Sequence, residues 1–464
     1  MQEMESVALS RLLDESPLQH IQRPWRSLLE KPVRRRAREA ALFVAERMRN
    51  PEHVKALAVV TREQSLYPTD WSPADLGSGD AGVALMYSYL AACFPGQGFA
   101  ALAQQYLRIA AAGTWQSPLL FPGLFGGTAG LALALTASSQ GGKHYPKTLA
   151  SLHDGLCAQV FAQPWRRPEA EEGVASSDFD LISGAAGVLA YLVSIKQPEP
   201  TIHKAIAHLL TYLLWLGEPG QPSGRERWYI PPELLPNEQH RKYAPRGNFN
   251  CGLAHGIPGP LAALSLTWLA GYRASKLRET IASLADWVVE HHLEREWGID
   301  WPASVSLERA TAARDWQQLS PARSAWCYGA PGVSRSLWLA GCALRDEKLR
   351  GMGRQAIEAA LRRPLAERDI PAPTLCHGVA GLLQICLRFA HECDSTLVQA
   401  QIPVLAEQIL DAFDPTLPLG FRDSEQDVLL NQPGWLTGAP GVAMTLLAAA
   451  TDVTPTWDRV LAIA

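Results

Sequence analysis

The sequence has no apolar run long enough to cross a bilayer. Its longest apolar stretches, residues 83–94 and 442–450, are shorter than the ~18 residues that a membrane-spanning helix needs. The first 13 residues carry mixed charges without an apolar centre, which argues against a secretory signal. A net charge of -4 with a pI near 6.3 gives no broad attraction to nucleic acid or to an anionic membrane. We therefore expect a cytoplasmic protein with no nucleic-acid partner and no transmembrane segment.

The chain also has little charge and few cysteines for its length. Charged residues make up 19% and apolar residues 47% of the 464 residues, which is typical of a globular protein and not of a disordered one. The eight cysteines are scattered, unlike a dense disulfide framework, so a reducing compartment would leave them as thiols or metal ligands. Five lie in apolar helical contexts that favour a small buried thiol, namely Cys93, Cys157, Cys342, Cys386 and Cys393.

A Gly-x-x-Gly unit followed by an apolar segment recurs seven times along the chain. Successive first glycines lie 48 to 73 residues apart, which leaves room for two helices per unit and for loops of variable length. Glycine suits a tight entry into a helix because it has no Cβ to clash where backbones approach closely. The units occupy residues 79–82, 127–130, 184–187, 256–259, 329–332, 378–381 and 438–441.

The segments between these glycine units predict two layers of helices. Segments directly after the units, such as 83–90 and 261–268, are apolar almost all round, as helices buried on every side are. The intervening segments, such as 34–49 and 203–214, are amphipathic and would cover the buried helices from outside. Seven repeats without capping sequences at either end favour a closed ring over an open solenoid. We predict an all-α, double-layered helical barrel of seven helical-hairpin repeats, with the glycine loops gathered at one mouth.

We expect one structural domain in spite of the length of the chain. Residues 1–60 would form an N-terminal helical segment that joins the outer helix layer, and residues 61–464 the seven-repeat barrel with its metal site. Two stretches interrupt the repeat. Residues 217–247 are rich in proline and charge, and residues 297–320 have no clean helical period and favour short strands or irregular structure on the exterior. Both are interpreted as loop insertions.

Three repeat loops carry metal-binding or titratable side chains immediately before their glycines. Cys327 precedes the fifth unit, Cys376 and His377 precede the sixth, and His255 precedes the fourth. Two thiolates and one imidazole form a donor set that Zn²⁺ prefers over hard cations, and three protein ligands leave a fourth position open for a substrate. We predict one zinc ion per chain, held by Cys327, Cys376 and His377. A buried core thiol at Cys327 and a structural pair of Cys376 with His377 remain alternatives.

The same loops resemble the signatures of the lanthionine synthetase C family, the LanC-type cyclases. The strings are Asn-Phe-Asn-Cys-Gly-Leu-Ala-His-Gly-Ile-Pro-Gly at 248–259, Trp-Cys-Tyr-Gly at 326–329 and Cys-His-Gly at 376–378. The similarity runs from about residue 77 to 441, and its wording is nearest to stand-alone bacterial class I cyclases. The resemblance implies an α/α toroid with one zinc ion. It also implies that cysteine thiols of a peptide are added to dehydroalanine or dehydrobutyrine, which forms (methyl)lanthionine thioether rings.

The resemblance further assigns roles to individual residues. It gives Cys327, Cys376 and His377 as zinc ligands and His255, Asp180 and Arg323 as catalytic residues, and we add Tyr328, next to Cys327, as a further catalytic candidate. A substrate thiol with a pKa of ~8.5 is mostly protonated at neutral pH, and coordination to zinc would deprotonate it. Attack on the dehydro residue sends charge to an amide oxygen, which Arg323 would stabilise, and His255 would then protonate the α-carbon.

Each of these assisting residues also has a structural alternative. His255 would in that case only hydrogen-bond the backbone, and Asp180 would cap the following helix or orient His255, with Asp178 as a nearby competitor. Arg323 would pair with a carboxylate, and Tyr328 would pack without contacting substrate.

The implied substrate is a dehydrated precursor peptide, leader plus core. No kinase-like or dehydratase sequence is evident outside the ring, so a separate dehydratase is expected, together with an exporter and a place at the periphery of a membrane-associated complex. Two other functions stay open: a LanC-like enzyme that adds glutathione to dehydroamino acids, and a non-catalytic zinc-containing scaffold. A zinc-dependent prenyltransferase is less well supported, because the sequence shows no basic pocket for a pyrophosphate.

Overall fold

The computed structural model describes residues 9–11, 23–139, 141, 143–168, 172–218, 225–311 and 315–464. Parts of the predicted N-terminal segment, 1–8 and 12–22, and of the two insertions, 219–224 and 312–314, lie outside the described residues. The helices are α1 (Lys31–Arg47), α2 (Pro51–Gln64), α3 (Asp80–Cys93), α4 (Phe99–Gln116), α5 (Thr128–Ser138), α6 (Pro146–Ala162), α7 (Ser176–Phe179), α8 (Ala185–Val193), α9 (Pro200–Leu216), α10 (Glu238–Tyr243), α11 (Pro258–Leu269), α12 (Leu277–Glu290), α13 (Leu307–Thr311), α14 (Ala330–Leu344), α15 (Glu347–Arg362), α16 (Val379–Glu392), α17 (Thr396–Asp411) and α18 (Ala439–Ala450).

An inner layer is formed by the seven helices that follow the repeat glycines, α3, α5, α8, α11, α14, α16 and α18. Nearly every side chain of these helices is buried, because each helix is surrounded by neighbours. Each helix packs against the next around the ring, and α18 packs against α3. The inner layer is therefore closed, and the predicted α/α toroid is confirmed.

An outer layer of amphipathic helices, α4, α6, α9, α12, α15 and α17, covers the inner one. In α15, for example, the buried positions 349, 353, 356, 357 and 360 recur every three or four residues, so one face of the helix turns inward. Helix α1 fills the gap between α17 and α4. It packs on α17 and α18, and the hydroxyls of Tyr87 and Tyr106 each donate a 2.6 Å hydrogen bond to a carbonyl at its end, on Ala45 and Met48.

The loops before the inner helices are joined by a closed chain of backbone hydrogen bonds. Each bond runs from an N–H in one loop to a carbonyl in the next, over 2.8 to 3.3 Å. The seventh bond returns to the first loop, so all seven glycine loops meet at one mouth. The donor and acceptor pairs are Leu76 to Phe125, Phe125 to Ile182, Leu181 to Ala254, Ala254 to Cys327, Cys327 to Cys376, Cys376 to Leu436 and Leu436 to Gly77.

The second glycine of a repeat is needed where an inner helix touches this ring. A Cβ on Gly332 would lie 2.1 Å from the carbonyl oxygen of Trp326, and one on Gly381 would lie 2.1 Å from that of Leu375. Trp326 and Leu375 each directly precede a cysteine of the mouth. Only glycine allows this approach of the two backbones, so the repeat motif sets the position of both cysteines.

Short antiparallel strand pairs accompany the helices of the ring. The strands are β1 (Leu9–Arg11), β2 (Asn248–Asn250), β3 (Tyr272–Ala274), β4 (Leu293–Arg295), β5 (Gly298–Asp300), β6 (Ser304–Ser306), β7 (Asp423–Glu425) and β8 (Val428–Leu430). They pair as β1 with β3, β2 with β6, β4 with β5 and β7 with β8. The stretch 297–320 thus contains the short strands expected there, followed by α13 and a turn of 3₁₀ helix at Asp315–Gln318.

The segment 456–463 fills the centre of the ring. It begins with a 3₁₀ helix, Thr456–Leu461, which packs on α8, and Trp457 contacts Tyr89 of α3. Asp458, fully buried, accepts a 2.6 Å hydrogen bond from Nε of Arg388 in α16. The carbonyl of Leu461 accepts a 2.9 Å hydrogen bond from the indole of Trp326, so this segment supports the loop that carries Cys327. Among the described residues, no helix combines the length and the apolarity required to cross a bilayer.

Candidate active site

Two cysteines from adjacent repeats, Cys327 and Cys376, are neighbours at the mouth. The backbone N–H of Cys327 donates to the carbonyl of Cys376 over 3.3 Å, so the two cysteines lie side by side on adjacent loops. The neighbouring Cys376 side chain lowers the pKa of the Cys327 thiol to about 7, although burial opposes it. The charges of His377, Arg323 and His255 act in the same direction. The Cys327 side chain and burial raise the pKa of Cys376, so Cys327 is the thiol of the two that ionises first.

The imidazole of His377 is held from behind by a carboxylate. Its Nε2 lies 3.1 Å from Oδ1 of Asp423, whose side chain is only 2% exposed. Burial works to lower the pKa of His377, but the hydrogen bond and the charge of Asp423 outweigh it and raise that pKa. Because Nε2 is engaged, Nδ1 is the nitrogen that remains for a metal.

The imidazole of His255 is held by Asp180 through the other ring nitrogen. Nδ1 of His255 lies 2.7 Å from Oδ2 of Asp180, and Oδ1 of Asp180 accepts hydrogen bonds from the backbone N–H groups of Ser183 and Gly184. Asp180 therefore fixes the loop that precedes α8 and holds His255 at the same time. Burial lowers the pKa of His255, but Asp180 outweighs this effect and raises it. The neighbouring Asp178 belongs to a local turn, where it accepts from the N–H of Ala175.

Arg323 and Tyr328 lie on the fifth loop beside Cys327. The guanidinium of Arg323 is 3.7 Å from the carboxylate of Asp369, and both side chains are well exposed, so the pair holds Arg323 only weakly. The hydroxyl of Tyr328 accepts a 3.1 Å hydrogen bond from Nδ2 of Asn250. Since the hydroxyl acts there as acceptor, its proton is available to another group. Burial raises the pKa of Tyr328, which keeps the phenol protonated.

The donor chemistry of the mouth fits zinc. Within the described part of the chain, no three His, Cys, Asp or Glu side chains already stand as a metal site. The donors themselves are of the kind zinc prefers, two sulfurs and an imidazole nitrogen from adjacent loops.

Sequence reasoning missed two residues of this site. Asn250 lies within the string 248–259 that carries the resemblance, and its position at the end of β2 places it beside Tyr328. Asp423 lies in the β7–β8 hairpin, outside every motif, and no sequence signal connects it with His377. A third buried thiol near the mouth, Cys251, has its pKa raised to about 12 by burial and contacts the carbonyl of Phe249.

Comparisons with known proteins agree with this architecture. The family model described as "Lanthionine synthetase C-like protein" matches residues 70–462. The nisin biosynthesis protein NisC of Lactococcus lactis subsp. lactis is 25% identical over 315 residues, which is 67% of this chain and 73% of that protein. The solved structure of nisin cyclase has the same fold, with a TM-score of 0.73 at 22% identity over 89% of this chain and 97% of its own. The chain thus belongs to the lanthionine synthetase C-like family.

Proposed function

We propose that this protein closes thioether rings in a dehydrated precursor peptide. It adds cysteine thiols to dehydroalanine or dehydrobutyrine and so forms lanthionine or methyllanthionine. The observation that carries this proposal is the meeting, at one mouth, of the Cys327 and Cys376 sulfurs with a His255 that is oriented by the buried Asp180. Membership of the family and the nisin-related names of the two relatives support a peptide substrate.

The proposal includes one zinc ion held by Cys327, Cys376 and His377. When bound, it would make an incoming cysteine thiol acidic enough to ionise at neutral pH and leave a fourth position for that sulfur. His377 would contribute Nδ1, since Asp423 engages Nε2. The lowered pKa of Cys327 favours its thiolate, which is the form that would bind zinc.

His255 is the proton donor of this scheme. Once the new carbon–sulfur bond has formed, the α-carbon of the former dehydro residue needs a proton. Asp180 occupies Nδ1, so the proton that reaches the peptide comes from Nε2. By raising the pKa of His255, Asp180 also keeps more of the imidazole in its protonated form at neutral pH. His255 is part of the mouth surface, with 41% of its side chain exposed.

Arg323 and Tyr328 are the donors for the negative charge that develops on the amide oxygen. The weak pairing with Asp369 leaves the Arg323 guanidinium available to an anionic group. Tyr328 already accepts from Asn250 and therefore presents its own O–H as a donor. Removing a single donor of this kind costs ~10²–10³ in rate.

The proposal extends to the partners and the location of the reaction. Dehydro residues must be formed first, so the proposal requires a dehydratase that acts earlier on the same leader-plus-core peptide, and it includes an exporter as the next partner. We place the reaction in the cytoplasm, at the periphery of a membrane-associated complex.

Reconstitution tests this function. Zinc-loaded protein is incubated with a synthetic peptide that contains one cysteine and one dehydroalanine. Ring closure leaves the peptide mass unchanged, so the remaining thiol is measured by alkylation and mass spectrometry. We expect the alkylated fraction to disappear faster than in the enzyme-free control. His255→Ala should retain zinc and slow the reaction by ~10²–10⁴.

The same assay separates the competing functions. If thiol loss with folded, zinc-loaded protein is no faster than the background, ring closure is wrong. A cysteine-free dehydropeptide supplied with glutathione provides the second reaction. Formation of its glutathione adduct without ring closure would assign a glutathione-adding enzyme instead, and peptide binding without either product would assign a scaffold.

A further inference from the structure

Asp423 is a buried carboxylate at the mouth that no motif points to. It is the first residue of β7, in the hairpin between α17 and α18. Its Oδ1 atom lies 3.1 Å from Nε2 of His377 and accepts a 3.3 Å hydrogen bond from the hydroxyl of Thr374. Thr374 and His377 belong to the sixth repeat loop, on either side of Cys376. The carboxylate therefore contacts two side chains of the loop that carries two of the three proposed ligands.

We propose that Asp423 is a positioning residue that prepares His377 to bind zinc through Nδ1. By accepting a hydrogen bond from Nε2, the carboxylate fixes the tautomer in which Nδ1 has a free lone pair, and its negative charge makes that nitrogen more basic. The inference rests on the proposed function, because it takes His377 as a zinc ligand.

The two histidines of the mouth make the assignment specific. Asp180 holds His255 by Nδ1, whereas Asp423 holds His377 by Nε2. The same kind of partner thus leaves opposite nitrogens available. Nε2 stands at the far end of the ring and suits proton delivery to a substrate. Nδ1 lies nearer the backbone, so it suits zinc binding together with the cysteine that directly precedes His377.

Anchoring the hairpin does not require a charged Asp423. The hairpin has its own ladder, in which Asp423 faces Leu430. Two residues along the same strand, Glu425 accepts hydrogen bonds from the hydroxyl of Ser65 and from the N–H of Leu66, and so ties the hairpin to the end of α2. Burying a carboxylate costs several kcal/mol unless its partners compensate for the lost hydration. A charge kept at this position is explained by its effect on the imidazole.

Zinc affinity measured without any peptide tests the proposal. The full-length chain is freed of metal and titrated with zinc in competition with a coloured chelator. Loss of such a partner weakens metal binding by roughly 10–100-fold. We expect Asp423→Ala near the upper end and Asp423→Asn near the lower end, because the amide oxygen still accepts from Nε2 but carries no charge. Glu425→Ala is the matched control. It removes a carboxylate from the same strand and should leave zinc affinity within about twofold.

The outcomes distinguish a failure of this inference from a failure of the proposed function. If the wild-type chain binds no zinc, both the proposed ligand set and the role of Asp423 are wrong. If it binds one zinc ion and a folded Asp423→Ala binds zinc equally tightly, only the role of Asp423 is wrong. If Asp423→Ala does not fold, Asp423→Asn decides, and unchanged affinity overturns the proposal. Cobalt substitution adds a spectroscopic readout, since altered visible bands in Asp423→Asn would report a changed histidine ligand.

Discussion

Oδ2 of Asp180 lies 2.7 Å from Nδ1 of His255, and this contact joins a carboxylate that is 2% exposed to an imidazole that is 41% exposed. The carboxylate is fixed by two backbone N–H groups of the loop just before α8, so it cannot follow the imidazole if the latter moves. A rigid buried acceptor thus holds a ring whose other nitrogen faces the mouth. The proton affinity of that ring depends on a residue that does not itself face the substrate.

The first prediction concerns the pH dependence of Asp180→Asn. His255 donates a proton only when it is protonated, so the rate of ring closure should fall as the pH rises through its pKa. Asp180 raises that pKa, and its removal should move the alkaline limb of the pH–rate profile to lower pH. The profile is measured for both proteins at saturating zinc. An unchanged alkaline limb, with activity reduced equally at every pH, would contradict the assignment of that limb to His255.

The second prediction concerns metal content. Elemental analysis of the purified chain should give about one zinc per chain, and Cys327→Ala and Cys376→Ala should lose it because each removes one of only three protein ligands. Cys251→Ala is the matched control, a buried thiol near the same mouth whose raised pKa keeps it protonated. It should keep its zinc. Full metal in both ligand variants would refute the ligand set.

The third prediction concerns the contact between the inner helices and the ring of loops. Gly381→Ala would place a Cβ 2.1 Å from the carbonyl of Leu375, so we expect it to lower the free energy of unfolding by several kcal/mol or to prevent folding. Gly351→Ala is the control, because a Cβ there meets nothing within 4 Å and the residue lies inside α15. It should raise stability by up to ~1 kcal/mol. Urea denaturation followed by circular dichroism measures both changes.

The fourth prediction concerns the segment 456–463. Asp458→Ala leaves Arg388 buried without its carboxylate. We expect this to lower the free energy of unfolding by roughly 3–5 kcal/mol. Asp394→Ala removes a comparable contact to Arg23 at the surface, where the two side chains are 52% and 82% exposed, and should cost no more than ~1 kcal/mol. If Asp458→Ala also costs no more than ~1 kcal/mol, the central segment contributes little to stability through this contact.

Much of the fold followed from a local rule. Each inner helix must approach the backbone of its own loop, so the Gly-x-x-Gly unit marks its start, as at Gly329 and Gly378. The apolar run that follows identifies the helix as buried. Because the rule is local and recurs seven times, it predicts the number of repeats and the gathering of the loops that carry Cys327 and Cys376.

What the sequence did not reveal depends on contacts between distant segments. Asp423 reaches His377 across 46 positions from a hairpin with no repeat motif. Asp458 and Leu461 lie in a short segment without helical periodicity, and only its buried contacts with Arg388 and Trp326 place it inside the ring. The roles of such residues depend on a neighbour in space. No period or spacing in the linear chain records that neighbour.

The closed chain of loop hydrogen bonds has a consequence for how this protein folds. The bond from Leu436 to Gly77 joins the seventh loop to the first, so it spans most of the polypeptide. Contacts of such long range carry a high entropic cost before they form and slow the acquisition of the native state. An open solenoid folds from any point and tolerates a lost or added repeat. Here the mouth is complete only when the last repeat has docked on the first, and a chain that is missing any one repeat has no seam that can close.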